Sequence, residues 1–357
     1  MRRAPHTFTS NPPMMPNQST HAPTPSPASA ANTRVWPVTL DDITAARDRI
    51  RSFVPVSPLR PYPVLDAEIG HGVRVFVKHE NFNPTNSFKV RNAFSLVTAL
   101  DDDERRRGVV AATRGNHGLG LAYAGKTFGV PVTICVPVGN NPEKNAAMRA
   151  LGARLIEEGR DYDDSVIVAD GIVRTEGARL AHSTNDPLII AGAGTMSLEI
   201  AEQERDLDAL VIAVGGGSQA VGAMTVMRAL RPNVKVYAVQ AAGAAASHDG
   251  WHAREPRVVD RADTFADGLA TRSSYELTFR ALCEGLTDFI TVTEGEIAHA
   301  LRLAIRTTHS LVEGAGAAGL AGLVALRERL AGQRVSIILS GGNIDERTLR
   351  RVVDGEL

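Results

Sequence analysis

The sequence predicts an α/β protein, a doubly wound parallel sheet covered by helices, on three observations. Short, nearly continuous apolar runs recur from residue 36 onward, segments with three- and four-residue apolar spacing separate them, and the chain can fill more than one core layer. Unbroken Val, Ile, Leu and Ala runs suit strands covered on both faces, as in parallel sheets. Their alternation with helical patterns implies β-α-β crossovers. At 357 residues and 43% hydrophobic composition, two compact lobes or one large domain can bury real cores.

In order, the expected strands are "VRVFVK" (73–78), "VVAAT" (109–113), "VTICVPV" (132–138), "LII" (188–190), "ALVIAVG" (209–215), "KVYAVQ" (235–240), "FITVT" (289–293) and "VSIILS" (335–340). Intervening stretches such as "EKNAAMRALGA" carry helical spacing. No internal repeat is visible. Residues 1–35 are rich in Pro, Ser, Thr and Asn and contain no acid, so a disordered tail is expected. A net charge of −1 provides no basic footprint for nucleic acid, and no apolar run reaches the ~18–20 residues of a membrane span. Two distant cysteines, Cys135 inside a strand and Cys283, argue against a disulfide framework. Without a signal-peptide core, a cytoplasmic protein is expected.

Ligands of open α/β sheets bind beyond the carboxyl ends of strands, so four loops matter most. In "NPTNSFKVRNA" (83–93), Lys89 stands in the first turn of a helix whose apolar face is Val90, Ala93, Phe94, Val97 and Leu100, with "NPTN" supplying turn and capping chemistry. The helix dipole there lowers a lysine's pKa, and a lysine moved towards neutrality is a Schiff-base nucleophile. "ATRGNHGLG" (112–120) offers Asn116, His117 and backbone donors where a helix begins, a cradle for a carboxylate. "AVGGGSQAVG" (213–222) lets Gly215, Gly216, Gly217 and Ser218 turn successive N–H groups towards one anion. "ILSGGNID" (338–345) ends a strand with the neutral hydroxyl of Ser340.

Together the four resemble the fold type II pyridoxal-phosphate enzymes, within them the serine/threonine dehydratase and serine racemase group, from about residue 36 onward. The resemblance implies pyridoxal 5'-phosphate as cofactor, held covalently by Lys89 with Phe88 against its ring. Gly215, Gly216, Gly217, Ser218 and Gln219 would take its phosphate, Ser340 its pyridine nitrogen and Asn116 its phenolic oxygen, with Glu313 nearby. Ser87, Thr113, Arg114, Gly115, Asn116 and His117 would meet the amino-acid substrate. It further implies two lobes, a large cofactor-binding domain (36–108 and 189–357) and a small mobile one (109–188), a homodimer, and α,β-elimination from L-threonine, L-serine or a close analogue to a 2-oxo acid and ammonia. Lys89 removes the α-proton, and the neutral Ser340 favours prompt loss of the β-hydroxyl.

The chain departs from its relatives at several points. Asn92 replaces a glycine, and Ser218 and Gln219 resemble the tryptophan-synthase β-type phosphate loop. Arg114 stands where relatives carry serine or alanine. That serine is the opposite-face acid/base of serine racemase, so poor racemisation is expected. The guanidinium suits an acidic side chain such as that of 3-hydroxyaspartate; a structural ion pair is the other reading. Phenylserine is a further substrate candidate. Gln240 replaces the glutamate that holds a divalent cation in relatives, so no metal site is expected. The sequence ends soon after "SGGN", so no isoleucine-responsive regulatory domain is expected. A β-replacement synthase and threonine synthase, which shares "NPT…SFK", are competing readings within the family. "GLAYAGKT" (120–127) matches a triphosphate-loop pattern, but on helix-forming residues too far from a strand. "GGGSQA" (215–220) matches the dinucleotide fingerprint of an NAD oxidoreductase, yet Gln240 occupies the position of its confirming acid.

Overall fold

The computed structural model describes Met1 and residues 35–160 and 162–357, so nearly all of the expected disordered tail lies outside the described residues. Val35–Leu357 packs as one compact unit. Its strands are β1 (Leu59–Pro61), β2 (Arg74–His79), β3 (Val109–Ala112), β4 (Val132–Val136), β5 (Arg154–Glu157), β6 (Arg179–Leu180), β7 (Ala209–Ala213), β8 (Lys235–Ala241), β9 (Asp288–Val292) and β10 (Arg334–Leu339). They form a six-stranded sheet in the order β1-β2-β10-β7-β8-β9 and a four-stranded sheet in the order β5-β4-β3-β6. Only β1 runs antiparallel to its neighbour. β10 is central, with Ile337 opposite Val77 on one side and Val211 on the other.

Strand residues read as continuous apolar runs because both faces are covered. Along β7, Ala209, Val211 and Ala213 enter one core while Leu210 and Ile212 enter another. A third core fills the space between the helices Lys89–Ala99 and Asn116–Phe128 and the four-stranded sheet.

One expected strand is a helix. "LII" (188–190) lies in the helix Pro187–Gln203, which Asp186 caps by accepting the Leu188 N–H at 2.8 Å and which begins with Pro187. This helix is apolar almost all round and almost wholly buried, so its first turn carries no polar face to distinguish it from a covered strand. Three strands escaped the sequence reading, β1, β5 and β6, which are short, part-exposed edge strands with little apolar content.

Candidate active site

The segments that follow β2, β3, β7 and β10 converge on one cavity of about 490 Å³. Every expected site residue lines it except Ser87, which is fully buried behind the wall.

Lys89 opens the helix Lys89–Ala99, which forms because Val90, Ala93, Phe94 and Val97 bury one face. The expected side-chain cap from "NPTN" is absent, since the capping position is Phe88 in helical conformation. Instead Ser87 Oγ accepts the Lys89 N–H at 3.2 Å, and the preceding turn closes with Asn86 N–H on the Asn83 carbonyl at 2.7 Å. Lys89 Nζ donates to the Ser183 carbonyl at 3.1 Å and stands 4.9 Å from the centre of the Phe88 ring. Burial holds the Lys89 pKa down at about 8. The direction is the expected one, and lost hydration supplies it.

Beyond β3, Thr113 Oγ1 accepts the Gly115 N–H at 3.2 Å, and Asn116 begins the helix Asn116–Phe128. First-turn N–H groups have no acceptor within a helix and remain for a ligand. His117 Nε2 faces the Ala181 carbonyl at 2.8 Å and must donate, because a carbonyl only accepts. Burial lowers its pKa to about 3, so the ring is neutral and its Nδ1 is unpartnered. Arg114 is exposed on the cavity wall and makes no ion pair among the described residues, so it is not the structural ion pair considered above.

Beyond β7, Gly217 has φ +97, a conformation that favours glycine, and it starts the helix Ser218–Leu230. A Cβ on Gly216 would collide with Thr184 Oγ1. Gln219 is buried and its Nε2 has no partner. Beyond β10, Ser340 is buried with its hydroxyl 3.4 Å from the Ala315 carbonyl. Glu313 is buried beside Gly341, accepts from Asn116 Nδ2, and has its pKa raised by burial. Asn343 Nδ2 donates to Asn116 Oδ1 at 2.8 Å and to the Thr85 carbonyl at 2.9 Å.

Beneath the helix that begins at Lys89 lies a buried charge cluster. Arg91 bonds Glu80 through Nε at 2.7 Å and Glu199 through Nη1 at 2.7 Å, and Lys78 Nζ bonds Glu199 Oε2 at 2.6 Å. Two cations and two anions balance, and Ser57 and Gln203 take remaining bonds. Sequence reading did not find this cluster, nor Asn343 and the cavity residues Lys144, Tyr162, Ser183, Thr184, Asp267 and Tyr275. Of these only Lys144 carried a signal, a charge on the apolar face it shares with Met148 one turn on.

At the end of β8, Gln240 Oε1 accepts the His248 N–H at 2.9 Å while its Nε2 is unpartnered. Among the described residues no group of three His, Cys, Asp or Glu is placed to hold a metal ion, and no helix is long and apolar enough to cross a membrane.

A part-buried amine of lowered pKa and a glycine turn, sharing one cavity, define an enzyme that handles an anionic carbonyl compound through a lysine. A profile described as pyridoxal-phosphate dependent enzyme matches residues 50–341, and the chain belongs to that family. The L-threonine ammonia-lyase of Thermotoga maritima is 35% identical over 89% of this chain and 78% of its own. The L-threo-3-hydroxyaspartate ammonia-lyase of a Pseudomonas species is 34% identical over 85% of this chain and 95% of its own. The structure of maize serine racemase superposes with a TM-score of 0.84 at 28% identity, covering 90% of this chain and 98% of that one. The residues present fit pyridoxal phosphate: Gln219 leaves its Nε2 unpaired beside the glycine turn, and Lys89 lines the same cavity.

Proposed function

We propose that the chain is a pyridoxal-phosphate-dependent ammonia-lyase, a carbon–nitrogen lyase that converts a β-hydroxy amino acid, L-threonine or L-serine first, to a 2-oxo acid and ammonia. The single observation that carries this reading is the part-buried Lys89 amine, which lines the same cavity as the Gly215–Gln219 turn and has its pKa lowered. Bound there, the cofactor supplies the electron sink that makes the α-proton removable.

In this reading the glycine turn and Gln219 hold the phosphate, Phe88 packs on the ring, Asn116 meets the phenolic oxygen and Ser340 the ring nitrogen, with Glu313 close by. The N–H groups of Asn116 and His117, with Thr113, orient the substrate carboxylate. Lys89 takes the α-proton, and the β-hydroxyl leaves as water after receiving a proton. The enamine then exchanges its nitrogen for a water oxygen, giving the oxo acid and ammonia, so the net reaction consumes no water. Ser87 acts from behind by fixing the Lys89 N–H.

Segment 109–188 serves as the small mobile domain, a reading supported by its separate sheet, and 36–108 with 189–357 as the large one. A homodimer fits the exposed apolar side chains of Phe82 and Leu311, and a cytoplasmic location completes the proposal.

A second reading, favoured by the unpaired Arg114 on the cavity wall, is that the preferred substrate carries a side-chain carboxylate, as 3-hydroxyaspartate does. The test is ammonia and 2-oxo acid release from purified, cofactor-loaded protein offered threonine, serine, 3-hydroxyaspartate and phenylserine, with and without a thiol. Release without thiol supports the lyase. Product only with thiol points to a β-replacement synthase, and no product with any of the four, together with no borohydride adduct on Lys89, ends the proposal.

A further inference from the structure

The cavity contains a second lysine, and its surroundings are the reverse of those of Lys89. Lys144 belongs to the helix Pro142–Ala150, where it is buried along with Asn145 and Met148. A buried ammonium needs a partner, and Lys144 Nζ has one, Asp267 Oδ2 at 3.0 Å. Asp267 is a poor permanent partner: its side chain is 45% exposed, it lines the cavity, and a hydrated carboxylate gains little from an ion pair.

The path of the lysine is informative. A Cβ on Gly115 would stand 3.0 Å from Lys144 Cδ and 3.4 Å from Nζ. The side chain therefore runs against the backbone of the turn that precedes Asn116, and its ammonium ends beside the free N–H groups of that helix's first turn. A cation and a helix N-terminus thus flank one place in the cavity. Glu313, Asp267 and Asp345 keep Lys144 cationic despite its burial, whereas burial lowers the Lys89 pKa and favours the free amine. One cavity thus holds two lysines with separate tasks, one charged and one nucleophilic.

We propose that Lys144 is the cationic half of the substrate's α-carboxylate site and that Asp267 is its resident counter-ion, displaced when an amino acid binds. The entering carboxylate takes the Lys144 ammonium together with the N–H groups of Asn116 and His117. Asp267 returns to water, which its exposure allows. This inference rests on the placing of the substrate carboxylate at the Thr113–His117 turn.

The test is calorimetric binding of glycine and of methylamine to the cofactor-loaded protein. Glycine has the α-carboxylate and no β-leaving group, and methylamine lacks the carboxylate, so neither result depends on turnover. Lys144→Met is expected to raise the glycine dissociation constant at least tenfold and to leave methylamine within twofold. Asp267→Asn is expected to tighten glycine several-fold with methylamine unchanged. Equal weakening of both ligands by Lys144→Met makes the lysine structural and overturns the proposal, as does a glycine constant that it leaves unchanged. Weakened or unaltered glycine binding in Asp267→Asn overturns the displacement. If Lys144→Met does not fold, Asp267→Asn, altered at a half-exposed side chain, decides alone. Failure of the lyase reading appears elsewhere, as absence of ammonia from every β-hydroxy amino acid.

Discussion

Arg91 grips Glu199 with two guanidinium nitrogens, Nη1 on Oε1 at 2.7 Å and Nη2 on Oε2 at 2.9 Å, with side chains only 1% and 4% exposed. The pair ties the helix that begins at Lys89 to the helix Pro187–Gln203. Glu199→Gln leaves Arg91 and Lys78 buried with one anion between them, and removing one member of a buried pair costs about 3–5 kcal/mol. Denaturant titration of the holoprotein should show a midpoint shift of that size. An unchanged midpoint would mean the pair contributes nothing to stability.

The same cluster sets an acid limit. Burial alone would raise the Glu80 pKa, but Arg91 and Lys78 hold it below its ordinary 4.5. A carboxyl depressed on folding contributes stability above its unfolded pKa and loses it as pH falls through the folded value. Stability of the wild type should therefore fall below about pH 4.5, and Glu80→Gln, less stable at neutral pH, should lack this part of the acid loss.

In protein freed of cofactor, the Lys89 amine with its pKa near 8 should capture pyridoxal phosphate at a rate that rises with pH up to about 8 and then levels. Below that point each pH unit should cost about tenfold. A plateau delayed to pH 10 would contradict the burial effect. Because the folded value lies under the ordinary 10.5, the cost of burying the charge is full below pH 8 and fades between 8 and 10.5, so this group makes the apoprotein more stable across that interval. Lys89→Ala should give no borohydride adduct.

Arg114→Ala separates the two substrate readings. A charged hydrogen bond is worth about 1.5–3 kcal/mol, so kcat/KM for 3-hydroxyaspartate should drop on the order of 10- to 100-fold if the guanidinium holds the side-chain carboxylate. Threonine should be nearly unaffected. Equal losses on the two substrates would remove that role from Arg114.

Two alanine substitutions compare the glycine cup with an ordinary glycine. Gly216→Ala drives a methyl into Thr184 and should weaken cofactor binding at least tenfold, read by absorbance titration. Gly171→Ala lies in the helix Tyr162–Glu176 with nothing within 4 Å of the new methyl. It should leave cofactor binding alone and raise stability by roughly 0.5–1 kcal/mol.

The site was legible in sequence where chemistry is local to a loop. Gly217 shows as a glycine because its backbone conformation needs one, and Lys89 shows because a charge interrupts an apolar face. Long-range partners leave no such mark: Asp267 reaches Lys144 across 123 positions and Asn343 reaches Asn116 across 227. Lys144 carries the same mark as Lys89, a charge on an apolar helix face shared with Met148, but its partner Asp267 is remote in sequence. The sheet was legible in its covered strands, whereas the Pro187–Gln203 helix imitated one and the edge strands β1, β5 and β6 were too polar to register.

The insertion of β10 between β2 and β7 has a consequence for biogenesis. Until residues 334–339 leave the ribosome, the central sheet is two separate halves whose facing edges carry unsatisfied backbone groups, the kind of surface on which nascent chains stick to one another. The seryl hydroxyl at position 340 arrives with the same strand, so closure of the sheet and completion of the pocket are one event. A translating chain has no finished binding place for coenzyme before that moment, and chaperone occupancy should persist up to it.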